Sequence, residues 1–178
     1  HWPFSLPPAD IHGKPPEKRA ETWRAMEEIY KSGRAKAIGV SNYTIRHLAE
    51  MKRYATVMPA VNQVEFNPFL YQKEMLEYCT QNDILVEAYS PLVHGEKLAD
   101  PHIGAVAQKY GKSNAQIFIR WSMQHGCVPL PKSTHLERIQ ENFNVFDFEL
   151  SAEDMEALDA LNENLHMRAD PNVLDAQE

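Results

Sequence analysis

Four positions along the 178-residue chain place polar side chains at or near the end of a short apolar run: Ser41-Asn42, Gln63, Tyr89-Ser90 and Lys132-Ser133. A carboxamide donates and accepts at once, a phenol ring offers a face and a hydroxyl, and a lysine beside hydroxyls suits an anion. The richest segment is Lys132-Ser133-Thr134-His135-Leu136-Glu137-Arg138. Lys132 closes an extended run, a helix opens behind it, and Arg138 falls in the first turns of that helix. Unsatisfied N–H groups at a helix start, a lysine and an arginine converging there form an anion site, most simply for a phosphate monoester. Asn142 follows Arg138 by one helical turn and shares its face. A solvated basic turn is the competing reading of the same residues.

The elements that must carry these residues follow from periodicity. Trp23, Met26, Ile29 and Tyr30 recur at helical spacing and predict a helix over 18–32, closed by Gly33. Short apolar strands are expected at 36–41, 60–66, 84–89 and 127–131. Between them helices are expected over 42–55, 72–81, 102–110 and 113–124, the last opened by a Ser113-x-x-Gln116 capping box. A helix over 136–146 carries Ile139, Phe143 and Phe146 on one face, and Ser151 caps a final helix with Met155, Leu158 and Leu161 toward the core. Residues 5–17, rich in proline, read as an irregular surface loop, and the polar stretch 162–178 reads as a tail.

Strands alternating with helices imply βαβ units and a parallel sheet. In such folds the carboxyl ends of the strands form the functional face, and four polar strand ends in succession point to one site shared among strands. No GxGxxG is present, so a closed barrel fits better than an open dinucleotide-binding sheet. With 25 acidic against 18 basic residues the net charge is −7, which supplies no basic surplus for nucleic acid or an anionic membrane. No apolar run approaches the ~20 residues of a membrane helix. Cys79 and Cys127 form no metal or disulfide framework, and the histidines show no metal-binding spacing.

These segments together resemble the aldo-keto reductase family. The resemblance is carried by His1-Trp2-Pro3, Gly39-Val40-Ser41-Asn42-Tyr43, Val61-Asn62-Gln63-Val64-Glu65, Ala88-Tyr89-Ser90-Pro91-Leu92, Pro131-Lys132-Ser133, Arg138-Ile139-Gln140-Glu141-Asn142-Phe143 and Phe146-Asp147-Phe148, in the family's order. It implies an α/β fold, a (β/α)8 TIM barrel in one domain, of which residues 1–178 form about the carboxyl-terminal half, from the end of strand four onward. It also implies an enzyme that moves hydride from NADPH to an aldehyde or ketone, a small-molecule carbonyl substrate, a cytoplasmic monomer, and neither nucleic acid nor membrane insertion.

Residue roles follow from the same resemblance. His1 is expected to be catalytic, donating a hydrogen bond to the substrate carbonyl oxygen, with Trp2 as a wall of the substrate pocket. Ser41, Asn42 and Gln63 are expected to hold the nicotinamide carboxamide and Tyr89 to stack on its ring. Ser90 and Leu92 would follow the pyrophosphate, with His94 and Glu96 in the flanking loop. Lys132, Ser133 and Arg138 would take the 2′-phosphate, and Glu141 and Asn142 the adenine. His135 departs from the small or apolar residue of the family pattern.

The Tyr, Lys and Asp that complete the family's catalytic tetrad have no match in residues 1–178. The sequence therefore reads as part of a longer protein that starts upstream of His1, and residues 1–178 alone are expected to be inactive. Two other readings stay open on sequence: a cofactor-binding regulatory subunit built on the same barrel, and an inactive truncated product. The short tail at 162–178 holds no aromatic residue, which suggests an open pocket for small or varied aldehydes.

Overall fold

A computed structural model describes residues 2–3 and 16–175. His1 and residues 5–15 of the expected proline-rich loop lie outside the described residues; Pro16 and Glu17, the first described positions after that gap, are already helical. The chain divides into two compact units. The first holds α1 (Pro16–Lys31), β1 (Gly39–Ser41), α2 (Ile45–Met51), most of β2 (Val61–Glu65), α3 (Lys73–Gln81) and the start of β3 (Leu85–Tyr89), with the short α8 (Pro171–Asp175). The second, residues 65–72 and 87–168, holds the ends of β2 and β3, α4 (Pro101–Tyr110), α5 (Asn114–Gln124), β4 (Val128–Pro129), α6 (Leu136–Phe143) and α7 (Ala152–Asp159). The strands follow the order β1-β2-β3-β4. β1 runs parallel to β2, with Ser41 opposite Gln63, and β3 runs parallel to β4, with Ala88 opposite Pro129.

The first unit is built on β1 and β2 in close approach. A Cβ at Gly39 would lie 2.8 Å from the Val61 carbonyl oxygen, so only glycine lets the strands pair in this register. Trp23, Leu48, Met51 and Cys79 fill the core, and the Trp23 indole N–H is satisfied by the Val57 carbonyl at 2.9 Å. Arg19 of α1, fully buried, grips Glu50 of α2 through Nε and a terminal nitrogen at 3.1 and 2.7 Å, the two-point geometry that makes a guanidinium–carboxylate pair directional. Glu27 of α1 accepts the Thr56 and Val57 N–H groups and the Thr56 hydroxyl, tying α1 to the loop before β2. The helix expected from residue 42 starts later, at Ile45. Asn42 has φ +59°, a left-handed conformation that cannot open a helix, and Thr44 caps instead, in a reciprocal box with His47.

In the second unit Ile117, Phe118 and Trp121 of α5 and Leu158 of α7 are buried together with Phe66 and Phe69 from the β2 exit. The Ser113–Gln116 capping box forms as the sequence indicates. Two expectations are corrected. The helix expected to reach residue 146 stops at Phe143: Asn144 closes the last turn with its N–H but has ψ +56°, outside the helical region, and its carbonyl is taken by the Gln116 amide at 2.7 Å. Its apolar stripe is exposed rather than packed, from 49 % at Ile139 to 73 % at Phe143, since α6 meets α5 through its other side, where Asn142 is buried. The expected tail is also held at its start. Glu163 and Leu165 donate their N–H groups to the Phe69 carbonyl at 3.1 and 3.0 Å, and the Asn162 side chain accepts the Tyr71 N–H at 3.1 Å. Polar composition hides such attachments because the backbone makes them.

α7 is joined to α4 through Asp154. Its carboxylate accepts the Lys109 ammonium at 2.7 Å, the Tyr110 hydroxyl, and the Ser151 hydroxyl at 2.7 Å, while the Ser151 side chain caps the Asp154 N–H. Burial pushes this carboxyl up, but the three donors outweigh it together and bring its pKa down to about 2. The folded value lies below the ordinary 3.8, so the stability that ionised Asp154 contributes is complete above 3.8 and fades as the pH falls toward 2. Asp154→Asn should cost the intact protein about 1.5–3 kcal/mol near neutral pH, the scale of a hydrogen bond to a charged group. In urea unfolding of wild type and variant, that difference should shrink as the pH is lowered through this window.

Candidate functional site

The second unit contains a cavity of about 740 Å³ at the strand ends. Its walls come from the β3 exit, the N-terminus of α5, the β4 exit and α6. Eight residues singled out in the sequence line it together: Ser90, Leu92, His94, Lys132, Ser133, Arg138, Glu141 and Asn142.

The β3 exit is shaped by strained backbone. Ser90, Val93 and His94 have φ of +48°, +49° and +50°, followed by Gly95 at +92°. A β-branched residue in the left-handed region is disfavoured, on the order of 1–3 kcal/mol. Val93 is held there by complete burial and by its N–H to the Ser90 carbonyl at 3.0 Å. The turn puts the Ser90 hydroxyl 3.1 Å from His94 Nε2, and both residues line the cavity.

The two helix starts at this cavity differ. α5 is closed by its own Ser113 side chain, and Asn114 donates to the Leu98 carbonyl at 2.6 Å. α6 has His135 at its N-cap with no side-chain cap bond; the Ser133 hydroxyl instead takes the His135 N–H at 3.1 Å, bending the chain into the helix. The first-turn N–H groups of α6 are therefore left for an external acceptor. Lys132 and Arg138 are exposed and make no ion pair or hydrogen bond among the described residues. Asn142 is nine-tenths buried, and its amide likewise finds no hydrogen-bond partner there. Two positive side chains, a helix start without a side-chain cap and an amide with no protein partner are donors suited to a phosphorylated, heterocyclic ligand.

Sequence reasoning missed the contribution of α5. Gln116 accepts the Ser113 N–H through its oxygen at 2.9 Å and donates its amide to the Glu141 and Asn144 carbonyls at 3.2 and 2.7 Å. One side chain thus completes the cap of α5 and fixes the C-terminal end of α6. The capping-box pattern was the available signal; that its glutamine also reaches a second helix is written only in the fold. Ser113, Asn114, Leu130 and Pro131 also line the cavity.

Within the first unit Ser41, Asn42 and Gln63 come together. The Ser41 hydroxyl and the Asn42 N–H both donate to the Gln63 carbonyl, at 2.9 and 3.0 Å, and the Asn42 amide reaches the Ser41 hydroxyl at 3.3 Å. Asn42 is buried and Gln63 half-buried, and Trp2 is half-buried as well. Tyr89, in the second unit, is half-buried; burial first and then the Glu65 charge push its hydroxyl up to about 12, against the pull of Arg168. Among the described residues no group of three or more His, Cys, Asp or Glu is arranged for a metal ion, and no helix is long and apolar enough to cross a membrane.

Residues 1–163 match the family model described as the aldo/keto reductase family. The chain belongs to this family. Among curated relatives it is 51 % identical over 175 residues to the uncharacterized oxidoreductase YtbE of Bacillus subtilis, covering 98 % of this chain and 59 % of that protein. It is 47 % identical over 164 residues to the glyoxal reductase of the same bacterium, covering 92 % and 59 %. Among solved structures, a mutant of Gox0644 in complex with NADPH matches with a TM-score of 0.85 at 38 % identity, over 97 % of this chain and 60 % of that one. The chain thus spans about three fifths of the length of these proteins. Its parallel βα succession is part of a (β/α)8 barrel.

Proposed function

We propose that the intact protein is a single-domain, NADPH-dependent reductase of aldehydes and ketones, and that the cavity of the second unit receives the phosphorylated adenosine end of the cofactor. The observation that carries this reading is the uncapped start of α6 with Lys132, Ser133 and Arg138 on one cavity wall. The names of a glyoxal reductase relative and of an NADPH complex among similar structures support the same chemistry.

In this reading Lys132 and Arg138 neutralise the 2′-phosphate, while Ser133 and the first N–H groups of α6 hydrogen-bond its oxygens. Arg138 can do so with two parallel N–H groups, which fixes orientation as well as charge. Asn142, whose side-chain amide makes no hydrogen bond among the described residues, gains partners in the adenine, with Glu141 beside it. Ser90 and Leu92 border the pyrophosphate. Ser41, Asn42 and Gln63 are assigned the carboxamide, which offers the donor and acceptor that Asn and Gln amides complement. Tyr89 is assigned the face of the nicotinamide ring, His1 the hydrogen bond to the substrate carbonyl oxygen, and Trp2 a wall of the substrate pocket. Bound NADPH supplies the hydride. The protein's own residues hold donor and acceptor in register, and polarise the carbonyl so that negative charge on its oxygen is met by a donor.

The phosphate assignment predicts a selective loss. In the intact protein Arg138→Ala should weaken NADPH binding by roughly 1.5–3 kcal/mol, the value of a charge-assisted hydrogen bond, and leave NADH almost unchanged. Fluorescence titration of both cofactors checks it, and equal losses contradict the assignment.

The ring assignment predicts a different split. Tyr89→Ala should lower single-turnover hydride transfer by about 10²-fold, the cost of a small misplacement of the reacting atoms, while most NADPH affinity survives. Loss of cofactor binding with the fold intact, or no change in either quantity, contradicts stacking.

A further inference from the structure

Asn62, the second residue of β2, is completely buried. Alternation along the strand sends its side chain to the face opposite Gln63. There Nδ2 lies 3.7 Å from the Met75 sulfur of α3, a weak acceptor. A carboxamide in such a place is costly unless its donor and acceptor are both bonded. Both bonds go to one residue of the β1 exit. Asn62 Nδ2 donates to the Tyr43 carbonyl at 3.0 Å, and Oδ1 accepts the Tyr43 N–H at 3.4 Å. The side chain thus meets the backbone of Tyr43 at both of its polar groups, as a neighbouring strand would.

Tyr43 directly follows Asn42, whose φ is +59°. Side-chain-bearing residues enter this region at a cost, which is smallest for asparagine and aspartate. The conformation is fixed from both sides. Ahead of it, the Asn42 N–H is held by the Gln63 carbonyl at 3.0 Å, one bond beyond the end of β1. Behind it, Asn62 holds the Tyr43 peptide groups. Two adjacent residues of β2 therefore clamp one left-handed turn, Gln63 through its main chain and Asn62 through its side chain. Releasing the second clamp lets the chain after Asn42 relax toward the commoner right-handed or extended regions. That would turn the Asn42 amide away from the Ser41 hydroxyl, which it reaches at 3.3 Å.

We propose that Asn62 is a positioning residue for the carboxamide end of the cofactor: its two-point grip on Tyr43 keeps Asn42 left-handed, with the Asn42 amide and the Ser41 hydroxyl set to meet a carboxamide. The role rests on the reading of Ser41, Asn42 and Gln63 given above; the grip on Tyr43 does not. Asn62 acts through one peptide, so its loss should be felt at the carboxamide and not at the phosphate end.

The test titrates the intact protein with three ligands. NADP+ carries the carboxamide. In 3-acetylpyridine adenine dinucleotide phosphate a methyl ketone replaces it, which accepts a hydrogen bond but cannot donate one. Adenosine 2′,5′-bisphosphate lacks the nicotinamide half. Wild type should bind NADP+ about tenfold more tightly than the ketone analogue, the scale of one net hydrogen bond. Asn62→Ala should cut that preference to about twofold by weakening NADP+, with the bisphosphate bound as in wild type. A preference kept in Asn62→Ala overturns the role, and so does an equal loss for all three ligands, which marks a general disturbance of the fold. Should Asn62→Ala fail to fold, Asn62→Asp carries the same comparison, since it keeps the size and the acceptor but loses the Nδ2 donor; a full wild-type preference in that variant overturns the role. A wild type that binds none of the three, or that does not distinguish NADP+ from the ketone analogue, overturns the carboxamide reading itself and the role with it.

Discussion

An α-helix cannot satisfy its own first N–H groups, and α2, α4, α5, α6 and α7 meet that requirement differently. α2 uses Thr44 and His47, α4 uses Asp100, α5 uses Ser113 with Gln116, and α7 uses Ser151. At α6 the N-cap residue, His135, supplies no side-chain bond. Of these five helices, the one without a side-chain cap is flanked by Lys132 and Arg138, which line the cavity. An uncapped start is a local cost of about 1 kcal/mol, and it is recovered when an anion occupies that position.

The open end is useful only if α6 is rigidly placed, and that is the work of Gln116. Its amide stands between the cap of α5 and the carbonyls at the far end of α6. α5 is itself anchored in the core by Ile117, Phe118 and Trp121. Position is thus passed from buried apolar contacts, through one polar side chain, to a helix whose own apolar stripe is exposed. The strained turn at Ser90–Gly95 complements this on the opposite wall, kept in the left-handed region by the buried Val93.

Much of this was legible in the sequence, for physical reasons that differ by element. The strands at 60–66 and 84–89 and the helices at 72–81 and 102–110 declare themselves by apolar spacing, and the structure places them within a residue or two. The cap of α5 is readable because the motif is local. The cavity residues from Lys132 to Asn142 were found because charge and helix start coincide in one short segment. The misses are non-local. Nothing near Asn144 announces that Gln116 will take its carbonyl and end the helix. Nothing in the polar run after Leu161 announces that Phe69 will hold its backbone. The late start of α2 depends on the left-handed Asn42, whose N–H goes to the Gln63 carbonyl of the neighbouring strand.

The central claim is that the open start of α6 is the seat of the cofactor's 2′-phosphate. A structure of the intact protein with NADPH tests it most directly. The account predicts the 2′-phosphate within hydrogen-bonding distance of Lys132, Ser133 and Arg138, with first-turn N–H groups of α6 directed at its oxygens. A 2′-phosphate bound elsewhere, with Lys132 and Arg138 turned to solvent and the start of α6 still open, would contradict it.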